Sequence, residues 1–233
     1  MARVAGVDSS TQSVKIVVRD SDTGALISQA SHPHPDGTEV NPQHWLDALH
    51  HVIDEIGGLH SLDAISIGGQ QHGMVLLDVD GAVIRPALLW NDTRSAAQAV
   101  AINEKFPNIH QLTGSQLVAS FTASKVRWVL ENEPANAAKI AAIALPHDWL
   151  SWKLSGSTDI RDLFTDRSDA SGTGYFNPIN NQYLPQIVEW VSGKKEVILP
   201  RVVAPGEVGA KIGYTVIASG AGDNAAAALG IGA

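Results

Sequence analysis

Asp8-Ser9-Ser10-Thr11-Gln12-Ser13-Val14-Lys15 is the stretch on which the reading turns, because short apolar runs lie on both sides of it. Arg3-Val7 and Ser13-Arg19 read as strands with the hydroxyl-rich residues as the tight turn between them, and Ala25-Ala30 reads as a third strand after the turn residues Asp22-Thr23-Gly24. The pattern predicts an antiparallel meander. A turn rich in small hydroxyl residues aims several backbone N–H and side-chain O–H donors at one point, which suits phosphate oxygens. A carboxylate at that point repels phosphate unless a divalent cation lies between them, so Asp8 reads as a Mg²⁺ partner. The competing reading is structural, since Asp and Ser bond their own backbone in ordinary turns.

Downstream, Asn41-Pro42 matches a helix cap followed by proline in the first turn, and Trp45, Leu49, Val52, Ile53 and Ile56 recur at helical spacing until Gly57-Gly58. Asp63-Gly68 reads as a buried strand, followed by a second hairpin, Met74-Val79 and Ala82-Leu88, joined by Asp80-Gly81. Helices are predicted over 94–106, 123–133 and 148–154, with a short one over 184–191. The polar, Gly- and Asn-rich stretch from Asp159 to Tyr183 reads as loop covering a site. Thr215-Ala218 reads as a strand running through Ser219-Gly220-Ala221-Gly222-Asp223 into a helix over Asn224-Leu229. Interleaved strands and helices of this kind predict an α/β domain whose mixed sheet is flanked by helices.

Composition bounds the function. The 233 residues are 44% hydrophobic and 17% charged, enough for a globular core. Absence of cysteine excludes disulfides and thiolate metal sites, and it is compatible with a reducing compartment. The start of the chain shows neither a signal-peptide core nor an apolar span of membrane length, so a cytoplasmic protein without membrane contact is expected. A net charge of −8 argues against non-specific nucleic-acid binding, which depends on Lys and Arg. His32, His34, His50 and His51 show no helical His-His pairing with a nearby Glu of the kind that marks zinc enzymes, so no histidine metal site is expected.

Two further segments can carry chemistry. Gly68-Gly69-Gln70-Gln71-His72-Gly73 ends a predicted strand, where glycines admit a ligand close to the backbone and Gln and His present donors and acceptors suited to a polyol. In Ser219-Gly220-Ala221-Gly222-Asp223-Asn224, Asp223 stands where it could take a proton from an attacking hydroxyl and Asn224 where it could orient that substrate, although Asp223 also reads as an ordinary helix cap. Trp90-Asn91-Asp92-Thr93-Arg94 is a weaker candidate for the wall of a sugar site, with Asp92 or Thr93 as a cap in the alternative.

Together these segments resemble the FGGY family of carbohydrate kinases, and within it the xylulokinases. The likeness runs in order through the hairpin, Gly69-Gln70-Gln71-His72-Gly73, Leu89-Trp90-Asn91-Asp92, Leu145-Pro146-His147-Asp148-Trp149-Leu150, Ser168-Asp169-Ala170-Ser171-Gly172-Thr173 and Gly222-Asp223-Asn224-Ala225-Ala226. It implies an actin-like, ribonuclease H-like fold, with ATP and Mg²⁺ as cofactors. It also implies phosphorylation of D-xylulose to D-xylulose 5-phosphate, with a kinase of the same family acting on ribulose, gluconate or another polyol, or a non-catalytic sugar-binding actin-like domain, as the alternatives. On the resemblance Asp223 matches the catalytic base, with Asp8 beside it as the metal-linked carboxylate. Gln71, His72, Asp223 and Asn224 match the substrate contacts, and Ser10, Thr11 and Gln12 the nucleotide-phosphate turn. Ser10 stands where the superfamily usually has glycine. Members of the family are about twice as long, so residues 1–233 are expected to be the N-terminal, sugar-binding half. The nucleotide-binding half is expected to be missing, the fragment to be inactive alone, and its exposed interdomain face to leave a homodimer open.

Overall fold

The computed structural model describes residues 2–232. It opens on the predicted meander, β1 (Arg3–Ser9), β2 (Ser13–Asp20) and β3 (Leu26–Pro33), with Asp8 opposite Lys15 and Ser9 opposite Val14. The first strand therefore runs two residues past its apolar run, because the ladder follows backbone pairing rather than side-chain polarity. After β4 (Glu39–Val40) comes α1 (Gln43–Glu55), whose start is held by Asn41 Oδ1 accepting the Gln43 amide at 3.0 Å. Its stripe of Trp45, Leu49, Val52 and Ile53 packs toward β2 and β3, burial that contributes roughly 1.5–3 kcal/mol for each large side chain.

β5 (Ala64–Gly69) lies parallel to β1. The expected second hairpin is only half present. Its turn closes, with the Asp78 amide donating to the Ala82 carbonyl at 3.0 Å, but the arms meet only in the isolated bridges Leu77–Val83 and Met74–Leu88 rather than in a continuous ladder. β6 (Val75–Leu77) pairs instead with the later β8 (Ala142–Ala144), and β7 (Ala87–Leu88) pairs with β4. Pro86 explains the split, since it has no N–H to donate in the second arm.

Between β7 and β8 lie α2 (Ala96–Lys105), α3 (Ile109–Thr113), α4 (Thr122–Asn132) and α5 (Pro134–Ala137). α6 (Pro146–Ser155) begins two residues before its predicted start because the Asp148 carboxylate accepts the Leu145 amide at 2.8 Å. The stretch expected to be loop is instead short, closely packed structure: β9 (Phe164–Asp166), α7 (Arg167–Ala170), a 3₁₀ turn at Ser171–Thr173, and the small hairpin β10 (Phe176–Asn177) and β11 (Gln182–Tyr183). Phe164, Asp169, Tyr175 and Phe176 are all buried. α8 (Pro185–Ser192), β12 (Arg201–Val203), β13 (Val208–Ile212), β14 (Thr215–Ala218), β15 (Ala221–Gly222) and α9 (Asp223–Gly230) complete the chain.

The main sheet runs β13-β14-β5-β1-β2-β3, with β15 continuing beside β5 past the end of β14. It is the mixed sheet flanked by helices that the sequence predicts. Along β1 and β5 the residues alternate: Ala5, Val7, Ile65 and Ile67 face the core under α1 and α6, while Gly6, Asp8, Ser66 and Gly68 share the opposite face, on which α9 lies. A second apolar cluster, built from α2, α4 and α8, meets the first across β6, whose Val75 and Leu77 join one cluster and Leu76 the other.

A polar cluster is sealed into this framework. His147 of α6 is fully buried, its Nε2 3.2 Å from Asp166 Oδ1 and 3.1 Å from Asp169 Oδ2, and its Nδ1 3.5 Å from Asp148 Oδ1. Burial alone would favour the neutral imidazole, but the Asp169, Asp148 and Asp166 carboxylates outweigh it and push the ring up to about 10. Burial in turn raises Asp148 to about 6 and Asp169 well above the usual carboxylate range, against the attraction of His147. Removing the cation strands buried negative charge, so His147→Gln should lose about 3–5 kcal/mol of stability in urea unfolding. A group raised in the folded state stabilises fully below its unfolded value of 6.5, so the wild type should lose this contribution as pH rises through about 10 while His147→Gln shows no such step. Gly220 tests backbone fit separately. At φ +82° an added Cβ would lie 2.6 Å from the Ile67 carbonyl, so Gly220→Ala should cost about 2 kcal/mol or more, whereas Gly6→Ala, with open space around it, should change stability by less than about 1 kcal/mol.

Candidate active site

The three strands β1, β5 and β15 set the site. Asp8 pairs in register with Gly68, and Gly68 with Ala221, so one row crosses the three parallel strands at their C-terminal ends, where ligands bind in open α/β sheets. Asp223 follows as the first residue of α9. Asp8 and Asp223 consequently line one cavity of about 660 Å³, together with Ser10, Gly68 and the Ala226 side of α9. Partial burial lifts Asp8 above the usual carboxylate range; Lys15 pulls it back, Asp223 raises it again and His34 opposes. Two carboxylates facing one cavity, with little cationic compensation, form a donor set that fits a hard divalent ion.

Asp223 does not act as the cap that the sequence also allowed. It is already helical, and its Oδ1 accepts the amide of Asn224 at 2.7 Å. Asn224 Nδ2 donates to Gln71 Oε1 at 3.0 Å, and Gln71 Nε2 reaches the Ser168 carbonyl at 3.4 Å. His72 stands next to this pair in a left-handed backbone conformation, φ 67°, which is strained for a residue with a side chain. Its Nδ1 donates to the Gly172 carbonyl at 2.6 Å, and burial holds the ring below the usual histidine value despite that bond. The neutral ring so defined leaves Nε2 as an acceptor. His72 does not line the cavity shared by the two aspartates, but it feels the charge of Asp223.

The turn at Ser10, Thr11 and Gln12 is less open than its composition implies. The Ser10 amide and hydroxyl both bond the Ser13 carbonyl at 3.0 Å, and Thr11 Oγ1 accepts from the Trp90 indole at 2.9 Å. The donors left for a ligand include the Thr11 hydroxyl and the backbone N–H groups of Thr11 and Gln12, which have no acceptor among the described residues. Trp90 is half exposed beside the turn, and Asp92 is buried, its carboxylate accepting from Thr38 Oγ1 at 2.8 Å, from the Arg94 amide at 3.0 Å and from the Arg94 guanidinium, while Ser95 stands at the cap position of α2. Lys15 is exposed.

Several supporting residues lie outside the candidate site residues read from the sequence. Ser168 accepts the Gly222 amide on Oγ at 3.0 Å and is itself fixed by Asp166, through its amide at 2.6 Å and its hydroxyl at 2.5 Å. The buried His147 cluster thereby reaches the residue before Asp223. Lys125 is fully buried, and burial draws it down to about 7. Its Nζ donates to the carbonyls of Ala119 and Ser120, holding the loop that carries Phe121 against the His72 ring, with centroids 4.9 Å apart. A charged residue in an apolar helical pattern, as at Lys125, was the available signal.

Comparison with known proteins gives this arrangement a family. Residues 3–230 match the model described as the FGGY family of carbohydrate kinases, N-terminal domain. A xylulose kinase of Streptomyces coelicolor is 42% identical over 98% of this chain and 50% of its own length, and one of an Arthrobacter species is 66% identical over 41% of this chain and all of its own. The crystal structure of xylulose kinase from Bifidobacterium adolescentis superposes with a TM-score of 0.95 at 41% identity, covering 100% of this chain and 55% of that one. The chain thus spans about half the length of the full-length relatives it matches. By these matches, the chain belongs to the FGGY family of carbohydrate kinases.

Proposed function

We propose that the protein carrying this domain is a xylulokinase, transferring the γ-phosphoryl group of ATP to D-xylulose and yielding D-xylulose 5-phosphate and ADP. Residues 1–233 form its sugar-binding, catalytic half, and the adenosine of ATP is held by a second half. The observation that carries the reading is the facing pair of carboxylates, Asp8 on β1 and Asp223 at the start of α9, on one cavity beside the linked Gln71–Asn224 pair. The names of the full-length relatives support the sugar.

In this reading D-xylulose lies against Gln71, His72 and Asn224, each offering a donor or acceptor to a hydroxyl group. His72 Nε2, kept neutral by burial, accepts from one of them. Asn224 holds Asp223 by its backbone amide, which leaves the second carboxylate oxygen for the terminal hydroxyl of the sugar. Asp223 takes that proton as the hydroxyl oxygen forms its bond to the γ-phosphorus and the bond to the β-phosphate oxygen breaks. The amides of Thr11 and Gln12 receive phosphate oxygens. Asp8 would hold Mg²⁺, which when bound neutralises phosphate charge. Closure of the second half over the cavity excludes water that would otherwise hydrolyse ATP.

In the full-length protein, Asp223→Ala should reduce kcat with D-xylulose by about 10²–10⁴-fold and move KM far less, measured by coupled ADP release; near-normal turnover with every pentulose tried would remove Asp223 as the base. The 233-residue chain by itself should show little or no turnover in the same assay, and robust activity there contradicts the division of labour. Sugar affinity should fall on acidification below the titration of His72, whose value lies under 6.5, because the protonated ring loses its acceptor.

A further inference from the structure

α9 carries Asp223 and Asn224 into the site, yet none of its residues is buried. Cavities flank it on two sides: the one of about 660 Å³ that holds Asp8 and Asp223, and another of about 630 Å³ lined by Asp166, Ser168 and Val203, with Ala221, Ala226 and Leu229 on the wall common to both. Apolar packing therefore does not fix this helix, and its first residue is placed by the chain that enters it. That chain is β15, only two residues long and paired with β5. A strand so far below the usual length needs support from outside its own ladder.

Ser168 supplies that support. Gly222 is buried, and its amide donates to Ser168 Oγ at 3.0 Å. The Ser168 hydroxyl has a single hydrogen, which goes to Asp166 Oδ2 at 2.5 Å. Donation to a carboxylate polarises the hydroxyl oxygen, which makes it a better acceptor for the Gly222 amide. Asp166 is held in turn by His147 Nε2 at 3.2 Å and by the amides of Ser168 and Asp169 at 2.6 and 3.1 Å. The hydroxyl is thus fixed in one orientation, aimed at the residue before Asp223.

We propose that, with Asp223 as the base of the reading above, Ser168 is its positioning residue: the hydroxyl, oriented by Asp166, fixes Gly222 and thereby sets the Asp223 carboxylate on the cavity it shares with Asp8. Ser168 acts through the Gly222 backbone and not on the reacting atoms. Its two oxygens serve different ends. The main-chain carbonyl accepts from Gln71 Nε2 at 3.4 Å and so steadies a sugar-facing side chain, whereas the hydroxyl serves the base. Removing the hydroxyl alone therefore separates turnover from sugar affinity, and a misplacement of about 1 Å between reacting groups is enough to cost about 10²-fold in rate. Ser168→Ala leaves Asp166 capping α7 through the Ser168 and Asp169 amides, so the fold is kept. Ser168→Thr retains the hydroxyl, and its added methyl group has room in the second cavity.

The test uses the full-length protein, with D-xylulose and ATP in the coupled ADP-release assay, and hydrogen–deuterium exchange without substrate. Ser168→Ala should lower kcat about 10–10²-fold while KM for D-xylulose stays within about threefold, and Ser168→Thr should restore kcat to within about threefold of the wild type. In the exchange experiment the segment containing Gly222 should lose protection in Ser168→Ala and keep it in Ser168→Thr, with β1 and α4 unchanged in both. Wild-type kcat in Ser168→Ala beside an inactive Asp223→Ala overturns the role of Ser168 and leaves the base in place. Unchanged exchange at Gly222 also overturns it. So does a raised KM at unchanged kcat, because the hydroxyl would then serve the sugar, and so does protection lost across the whole protein, the mark of a merely structural residue. Retained turnover in Asp223→Ala removes the base and its positioning residue together.

Discussion

The architecture depends on one constraint: β5 must accept β1 on one side and β15 on the other, in a register that aligns Asp8, Gly68 and Ala221. Because both neighbours run parallel to β5, all three strands end at the same edge. The chain reverses after β1 into the hairpin turn and passes from β15 directly into α9. Two acidic residues more than two hundred positions apart are thereby set on one cavity. Glycine permits the approach. A Cβ on Gly220 would meet the Ile67 carbonyl, one on Gly69 would lie 2.8 Å from His147, and one on Gly222 would collide with the Gln71 side chain. Side chains at these places would push on the β5 backbone, on α6 and on the Gln71 side chain respectively.

Behind this edge the His147 cluster supplies rigidity that apolar packing alone does not. Asp148 caps α6, Asp166 caps α7 and fixes Ser168, and Ser168 takes the amide of Gly222. A buried cation compensated by carboxylates holds only where hydrogen bonds and geometry satisfy it, so the cluster ties α6, β9 and α7 to one arrangement. The same segment offers the Gly172 carbonyl to His72 and the Ser168 carbonyl to Gln71. Sugar-facing residues and base-bearing strand thus share one support. The left-handed His72 backbone is strained, and that support is what keeps it in place.

Much of this was legible in the residues. The meander, α1 with its Asn41 cap and the strand leading to Asp223 follow from turn chemistry, period and capping, all of them local rules. The short-range readings failed where a partner lay far along the chain. The two arms around Asp80-Gly81 looked like a hairpin, but Pro86 interrupts the second arm, the distant β8 pairs with the first and β4 pairs with the second. The segment from Asp159 to Tyr183 looked like loop because polar residues and glycines dominate it, yet those polar groups satisfy one another inside the protein. Its Ser-Asp-Ala-Ser-Gly-Thr run was visible as a resemblance, but spacing could not reveal that Ser168 touches Gly222, fifty-four residues on. The candidate residues Asp8, Gln71, His72, Asp223 and Asn224 were all picked out in the sequence; their proximity came only with the fold. The Ser10 hydroxyl, read as a phosphate donor, is spent on the Ser13 carbonyl, whereas the Thr11 hydroxyl accepts from the Trp90 indole and keeps its own hydrogen to donate.

The shared cavity is a statement about distance, and electrostatics reports distance directly. Carboxyl ¹³C NMR titration of Asp8, in the wild type and in Asp223→Asn, measures it in this chain without substrate. Asp223 raises the proton affinity of Asp8, so neutralising it should move the Asp8 titration to lower pH. An Asp8 curve that is unchanged by the substitution would mean that the two carboxylates do not face one another, and the account of the site would fail with it.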